Sequence, residues 1–309
     1  MATIGIVRPG SEYGLMHSAE IVAGVLETAG HDVHRHDMYR PSNGARFDLV
    51  ILFERIVEHW LGVASVTALI PNPEWFLDEF VDLLGHIDLV LAKTHDAVAA
   101  FEARGCDVVH TGFTSRDQFL PDVERRPGRW LHVAGSSRHK GTDTLVDVWA
   151  ANPDFPQLTI LQPPGMLGRP PPANVSLVVE HLPDAVVQFL QNRSGVHVCP
   201  SEAEGWGHYI VEGLSVGAVV LTTDAPPMNE VVTPARGMLC AYASSTPMRF
   251  GQKYAVAPDA LEATVRATLE HDPDDLLELG RRGREWYLEN HAAFVTRLTD
   301  AVDDLTRAS

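Results

Sequence analysis

Between Cys199 and Glu230 the chain reads CPSEAEGWGHYIVEGLSVGAVVLTTDAPPMNE, and no other stretch restricts the fold as strongly. An apolar strand end (Val196, Val198) runs into a polar, glycine-bearing turn, then a helix, then a second strand from Ala218 to Thr222. Glu204 sits in the turn, and Glu212 lies further on, on the helix. Gly205 and Gly207 flank Trp206, so the backbone there can approach a ligand without side-chain obstruction. A turn of this kind aims amide N–H groups and the positive end of a helix dipole at one spot, a natural seat for phosphate. A carboxylate beside phosphate would repel it, so both glutamates are expected to hold hydroxyls. Phosphate and polyol together suggest a nucleotide-sugar.

The same alternation runs along the whole chain. Strands are predicted at Thr3 to Val7, His31 to His36, Phe47 to Phe53, Ala64 to Ile70 and Leu89 to Lys93. Helical spacing covers Leu15 to Ala29, Glu74 to Leu84 and His95 to Arg104. From Asp117 to Arg129 the apolar pattern lapses into PDVERRPGR, the expected linker. A second series follows: strands at Trp130 to Val133, Leu158 to Leu161, Val175 to Val179 and Val196 to Val198, with helices at Thr142 to Ala150 and Asp184 to Gln191. Three more helices are expected near Asp259 to Glu270, Pro273 to Asn290 and His291 to Ala308. Alternation at this spacing means α/β architecture with parallel sheets covered on both faces. The expected organisation is two Rossmann-like domains facing across a cleft: residues 1–120, a shortened N-terminal domain on the acceptor side, and residues 126–290, holding the donor. A C-terminal helix, 291–309, would pack back on the first domain.

A chain of 309 residues can bury two cores of ordinary size. Its net charge of −17 argues against nucleic acid, whose phosphates need a basic face, and weighs against docking on anionic membranes. Cys106, Cys199 and Cys240 are widely spaced and form no CxxC, which reads as buried thiols in a reducing compartment. The start MATIGIVRPG has no basic n-region, so it reads as a strand and not a signal peptide, and a cytoplasmic protein is expected. No HExxH, no clustered His/Cys ligands and no convincing Asp-x-Asp occur, so no metal site and no cofactor are expected.

The stretch from Cys199 closely resembles the donor motif of GT-B glycosyltransferases of the retaining family 4 type. That pattern is Pro-Ser, two residues, Glu-Gly-Phe-Gly, then a second Glu with seven residues between the two, a small-residue helix and a strand. Here Trp206 replaces Phe, His208 replaces the commoner Leu, and Pro226 and Pro227 stand where a Gly is usual. The resemblance extends to the Gly-containing first loop, to Gly-His-Asp-Val at residues 30–33, and to IDLVLAKTHDAVAAFEARG.

The family implies roles for further positions. In GSSRHKGTDTL (Gly135 to Leu145) the pattern's Arg is replaced by Ser136, while Lys140 matches its Lys-Gly pair. Lys140 and Arg138 would then neutralise a diphosphate that gains charge as its bond to sugar breaks. The loop at Leu182 would meet the nucleobase through its backbone, and Gly135, Ser136 and His208 would line the donor site. On the acceptor side the resemblance points to Tyr13, Gly14 and His17 in the first loop and to Asn72 and Glu74 after the fourth strand. Read as residues alone, Glu74 is an acid starting a helix and His17 a structural histidine. The implied activity is metal-independent transfer of a sugar from a nucleoside diphosphate sugar, the co-substrate, to an acceptor hydroxyl with retention. A nucleotide-sugar epimerase and a non-catalytic nucleotide-sugar binder remain alternatives.

Overall fold

Short runs of β-branched residues between glycine and proline breaks become parallel strands in the computed structural model, which describes residues 1–9 and 13–308. In the first unit these are β1 (Thr3–Arg8), β2 (Asp32–Asp37), β3 (Phe47–Phe53), β4 (Ala64–Ile70), β5 (Leu89–Ala92) and β6 (Val108–His110), with helices α1 (Tyr13–Thr28) and α2 (His95–Glu102). All five pairings are parallel and the order is β2-β1-β3-β4-β5-β6. Leu49 to Phe53 are buried without alternation, as a strand covered on both faces requires.

The helix expected from Glu74 to Leu84 is instead two 3-10 segments, Pro73–Trp75 and Asp78–His86. Phe76 and Leu77 between them are extended. This break lets the Phe76 ring meet Phe80, Phe101 and Phe250 at centroid distances of 5.6, 5.1 and 4.9 Å.

Phe250 explains a departure from the expected domain limits. The first unit takes in the chain up to Ser115, Pro247–Gln252, and everything from Asn290 onward. Phe250 joins the apolar cluster of Phe76, Phe80 and Phe101, and the Arg104 guanidinium lies 3.3 Å from its ring centroid. A short segment carrying one large ring can thus belong to a core remote from its neighbours in sequence. From Asn290 onward, Phe294 packs on Phe113 at 5.0 Å, and Leu298 and Val302 are buried.

The second unit, Arg116–Thr246 and Lys253–Glu289, holds the other sheet. Its strands are β7 (Arg126–Val133), β8 (Leu158–Leu161), β9 (Val175–Val178), β10 (Ser194–Cys199), β11 (Val219–Thr223) and β12 (Met238–Cys240). Helices α3 (Thr142–Ala151), α4 (Asp184–Arg193), α5 (His208–Ser215), α6 (Met228–Val231) and α7 (Pro258–Glu270) connect them. The strands β13 (Tyr242–Met248) and β14 (Gly251–Val256) form a separate two-stranded ribbon. Helix α8 (Pro273–Ala308) is continuous where two helices were expected. No break is needed at Asn290 and His291, because Asn290 Nδ2 donates to Phe113 O at 2.7 Å and His291 Nδ1 lies 3.2 Å from Thr114 Oγ1. None of the described helices is long and apolar enough to cross a membrane.

The core of this unit centres on Trp130, Trp149 and Phe155, with ring centroids 5.8 and 5.2 Å apart along that series. Loss of a buried aromatic of this kind costs about 3–5 kcal/mol. The parallel strand order is β12-β11-β10-β7-β8-β9. The chain therefore builds outward from β7 to β9, then returns to lay β10 on the other side of β7. Carboxyl ends of two strands that flank such a reversal are where open α/β sheets bind ligands.

Candidate nucleotide-sugar site

The two sequence stretches singled out for phosphate and sugar leave those two strands. Ala134 to Gly141 follows β7 and Pro200 to Gly207 follows β10, and each loop opens a helix, α3 and α5. Two glycines permit these turns. Gly141 has φ +66° and Gly207 φ +85°, the left-handed region that L side chains rarely enter. A Cβ on Gly141 would also collide with the Pro200 carbonyl, so the β7 loop can pack on the β10 loop only at a glycine. The loops are joined directly where Glu202 N donates to His139 O at 2.8 Å.

Lys140 reaches across from the first loop and donates through Nζ to Glu204 Oε1. Both side chains are largely buried, at 16% and 9% exposure, so the pair is little screened by water. Ser201 Oγ donates to the same carboxylate oxygen. Its other neighbour is the Tyr209 hydroxyl at 2.6 Å. The Lys140 ammonium also lies 4.1 Å from the centre of the Tyr209 ring.

Glu212, one helical stretch along α5, is met by Gln191 Nε2 at 2.9 Å from the end of α4. Its carboxyl keeps some access to solvent but is packed round by protein. Burial pushes it up to about 7, against the lowering effect of hydrogen bonds from Gln191 and Gln118. Helix α5 lies tight on its sheet, because a Cβ on Gly213 would come within 2.9 Å of both His197 and Val220.

Two buried histidines brace these loops from below. His132 on β7 donates from Nδ1 to Val198 O at 2.7 Å, and its Nε2 lies 2.9 Å from Thr142 Oγ1 at the start of α3. His197 on β10 donates from Nε2 to Gln191 O at 2.9 Å, which sets the turn from which the Gln191 side chain extends. Burial holds both rings down at about 4, so each is neutral. Thr223 Oγ1 adds a bond of 2.6 Å to Ser201 O, anchoring the turn to β11.

Of the residues expected around the donor, Lys140, Glu204 and the turn through Gly205, Trp206 and Gly207 are brought together, with Trp206 buried. His208 is half-buried at the first position of α5. Gly135 and Ser136 are exposed on the β7 loop, and Gly135 has φ +56°. Arg138 is exposed, with no hydrogen bond or ion pair among the described residues, and so is available to an anion. Leu182 is half-buried in the loop between β9 and α4.

Sequence reasoning missed Gln191, Ser201, Tyr209 and Gln118. Gln118 lies in the stretch read as a linker, yet its backbone N–H donates to Ser215 Oγ at 3.1 Å and its carbonyl accepts from Asn192 Nδ2 at 2.7 Å. That stretch has no apolar period because side-chain hydrogen bonds, not hydrophobic contacts, hold it down. The one available signal was Ser201, which precedes Glu204 in the Pro-Ser motif.

Of the first-unit candidates, Asn72 and Glu74 follow the carboxyl end of β4, while Tyr13, Gly14 and His17 lie on α1, after β1. Asn72 Nδ2 donates to Glu54 Oε2 at 2.7 Å, and Lys93 Nζ donates to Asn72 Oδ1. Glu54 and Lys93 are 5% and 3% exposed, so Asn72 links two buried charges. Glu54 itself adopts φ +63°, a strained conformation for glutamate. Glu74 lies in the first turn of the Pro73–Trp75 3-10 segment, as an acid starting a helix, and is buried there. His17 is half-buried on α1 and Gly14 is exposed. Tyr13 opens α1, but its side chain lies outside the described residues.

No group of three His, Cys, Asp or Glu residues suited to a metal ion occurs among the described residues.

Residues 171–248, from just before β9 to the end of β13, match the family described as Glycosyl transferases group 1. No curated protein matches the chain. Among solved structures, sucrose-phosphate synthase from Thermosynechococcus elongatus is 14% identical with a TM-score of 0.74, over 100% of both chains. A glycosyltransferase from Rickettsia africae is 14% identical with a TM-score of 0.76, over 99% of each. Anabaena HepE in complex with UDP-glucose is 13% identical with a TM-score of 0.72, over 98% of this chain and 100% of that one. The fold is that of the GT-B glycosyltransferases along the whole chain.

Proposed function

We propose that this chain, with a GT-B fold and a segment of glycosyl transferase group 1 type, moves a sugar from a nucleoside diphosphate sugar to an acceptor hydroxyl. The observation that carries the reading is the meeting of Lys140 and Glu204 from two loops that flank a strand-order reversal. A cation for diphosphate and a carboxylate for sugar hydroxyls stand side by side, and Glu212 follows on the same helix-opening segment.

In this reading the amides of the Gly205 to Gly207 turn, with Lys140 and Arg138, hold the diphosphate and stabilise it as it leaves. The backbone near Leu182 meets the base, and Gly135, Ser136 and His208 line the donor. Glu212 accepts hydrogen bonds from the ribose, and Glu204 from the transferred sugar. The bond from anomeric carbon to phosphate oxygen breaks, and the acceptor oxygen bonds to that carbon on the same face. The acceptor proton passes to the leaving phosphate, so configuration is retained and no side-chain base is required. Charge on the leaving group is met by Lys140 and backbone amides, without a metal. The first unit, through the neighbourhood of Asn72, Glu74, Gly14 and His17, takes the acceptor.

Solved neighbours include one with UDP-glucose and one with UDP-2-fluoro glucose, which makes UDP-glucose the first donor to try. The test is incubation with a panel of nucleotide-sugars, followed by product analysis. Slow release of free sugar and nucleoside diphosphate is expected. An isomeric nucleotide-sugar would assign an epimerase instead, and binding without any product would assign a binder.

A further inference from the structure

Tyr209 is the first buried residue of α5, and it touches both members of the Lys140–Glu204 pair, one directly and one through Ser201. Proton bookkeeping gives this contact a direction. The Glu204 carboxylate only accepts, so the Ser201 proton points to it. Ser201 Oγ can then only accept from the Tyr209 hydroxyl, 2.6 Å away. The result is a one-way relay, Tyr209 to Ser201 to Glu204. Ser201 is fully buried and Tyr209 nearly so, and burial pushes the Tyr209 phenol well above its ordinary range, so the proton that starts the relay stays in place. On the other side, the Tyr209 ring lies under the Lys140 ammonium. Lysine has a flexible four-carbon stem, and an aromatic face below it with a carboxylate beside it restricts that freedom.

We infer that Tyr209 is the positioning residue of this site: its hydroxyl orients Glu204 through Ser201, and its ring seats Lys140. The inference rests on the proposed donor reading, in which those two groups meet the sugar and the diphosphate. The two functions of Tyr209 are chemically separable. The hydroxyl serves the sugar-binding carboxylate, and the ring serves the phosphate-binding cation. A residue that merely filled the core would need neither the hydroxyl nor its Ser201 partner.

The experiment compares wild type with Tyr209→Phe, Ser201→Ala, the double variant and Tyr209→Leu. Affinity for UDP, GDP and ADP is measured by calorimetry, and kcat and KM by hydrolysis of the matching nucleotide-sugar. Tyr209→Phe and Ser201→Ala each break the relay, so each should lower kcat by about 10-fold or more, the scale of a small misplacement of a reacting group. Nucleoside diphosphate affinity should stay within about twofold in both, because the ring and Lys140 remain. The double variant should be no worse than the worse single, since both remove one coupled element. Tyr209→Leu should in addition weaken nucleoside diphosphate binding.

Wild-type kcat and KM in Tyr209→Phe, or multiplicative losses in the double variant, would overturn the inference while leaving the donor reading intact. A lowered melting temperature with unchanged kinetics would do the same. If Tyr209→Phe does not fold, Ser201→Ala alone must show the kcat loss. A wild-type protein that binds none of the three nucleotides would overturn the donor reading and this inference with it.

Discussion

Gln191 on α4 donates to Glu212 on α5 at 2.9 Å, so a buried amide holds the second glutamate of the motif in one orientation. Gln191 is itself set by His197, whose ring hydrogen-bonds the Gln191 carbonyl. The carboxylate is therefore presented by a chain of contacts that begins in the sheet.

Burial raises Glu212 from 4.5 to about 7, and this has two consequences. The fold prefers the protonated carboxyl, so the stability this preference contributes is present below about pH 4.5 and is lost as pH rises through 7. Glu212→Gln should flatten that decline in denaturant melts between pH 5 and pH 8. In the proposed reading, where Glu212 accepts from ribose, the sign for the ligand is opposite, because hydroxyls donate best to an ionised carboxylate. Nucleoside diphosphate affinity should rise across the same range in wild type relative to Glu212→Gln, which also cancels titration of the ligand itself. Glu212→Ala should cost about 1.5–3 kcal/mol of binding, as a charged hydrogen-bond partner does. Unchanged affinity in a folded variant would remove Glu212 from the site.

Lys140→Ala should lower kcat by about 10² or more, the scale of losing one preorganised electrostatic donor. Donor KM should change less, since backbone amides remain. The variant also leaves Glu204 without its cation, so a melting temperature must accompany the kinetics. A wild-type turnover rate would mean that the diphosphate is held elsewhere.

In the proposed reading Lys140 and backbone amides meet the charge on the leaving diphosphate, so activity should survive excess chelator. Loss on chelation, restored by magnesium or manganese, would show that the phosphate seat has been misassigned.

Asn72→Ala separates structure from function in the first unit. It removes the link between buried Glu54 and Lys93, and leaving such groups short of a partner costs about 1–3 kcal/mol. Thermal melts should register that loss. An Asn72→Ala protein as stable as wild type would mean the link contributes nothing to the fold.

Much of the fold is written in local sequence. The periodicity of Phe47–Phe53, Ala64–Ile70 and Leu158–Leu161 identified three strands to the residue, because a buried parallel strand is a bare apolar run bounded by breakers. Spacing around Glu204 and Glu212 identified a strand–turn–helix unit, because the turn needs glycine where φ is positive, as at Gly207. Local chemistry wrote those features into local sequence.

The ribbon of β13 and β14 was missed because Tyr242 to Pro247 are exposed and show no apolar alternation. Tertiary structure alone decided that β10 returns beside β7, which sets Lys140 against Glu204 although 64 positions separate them. It alone decided that Gln191 holds Glu212 and that Phe250 belongs with Phe76 and Phe101. The physical reason is common to all three. Strand order and the partners of buried polar groups depend on which surfaces are brought together after helices and strands have formed, and that choice leaves no periodic trace in the chain.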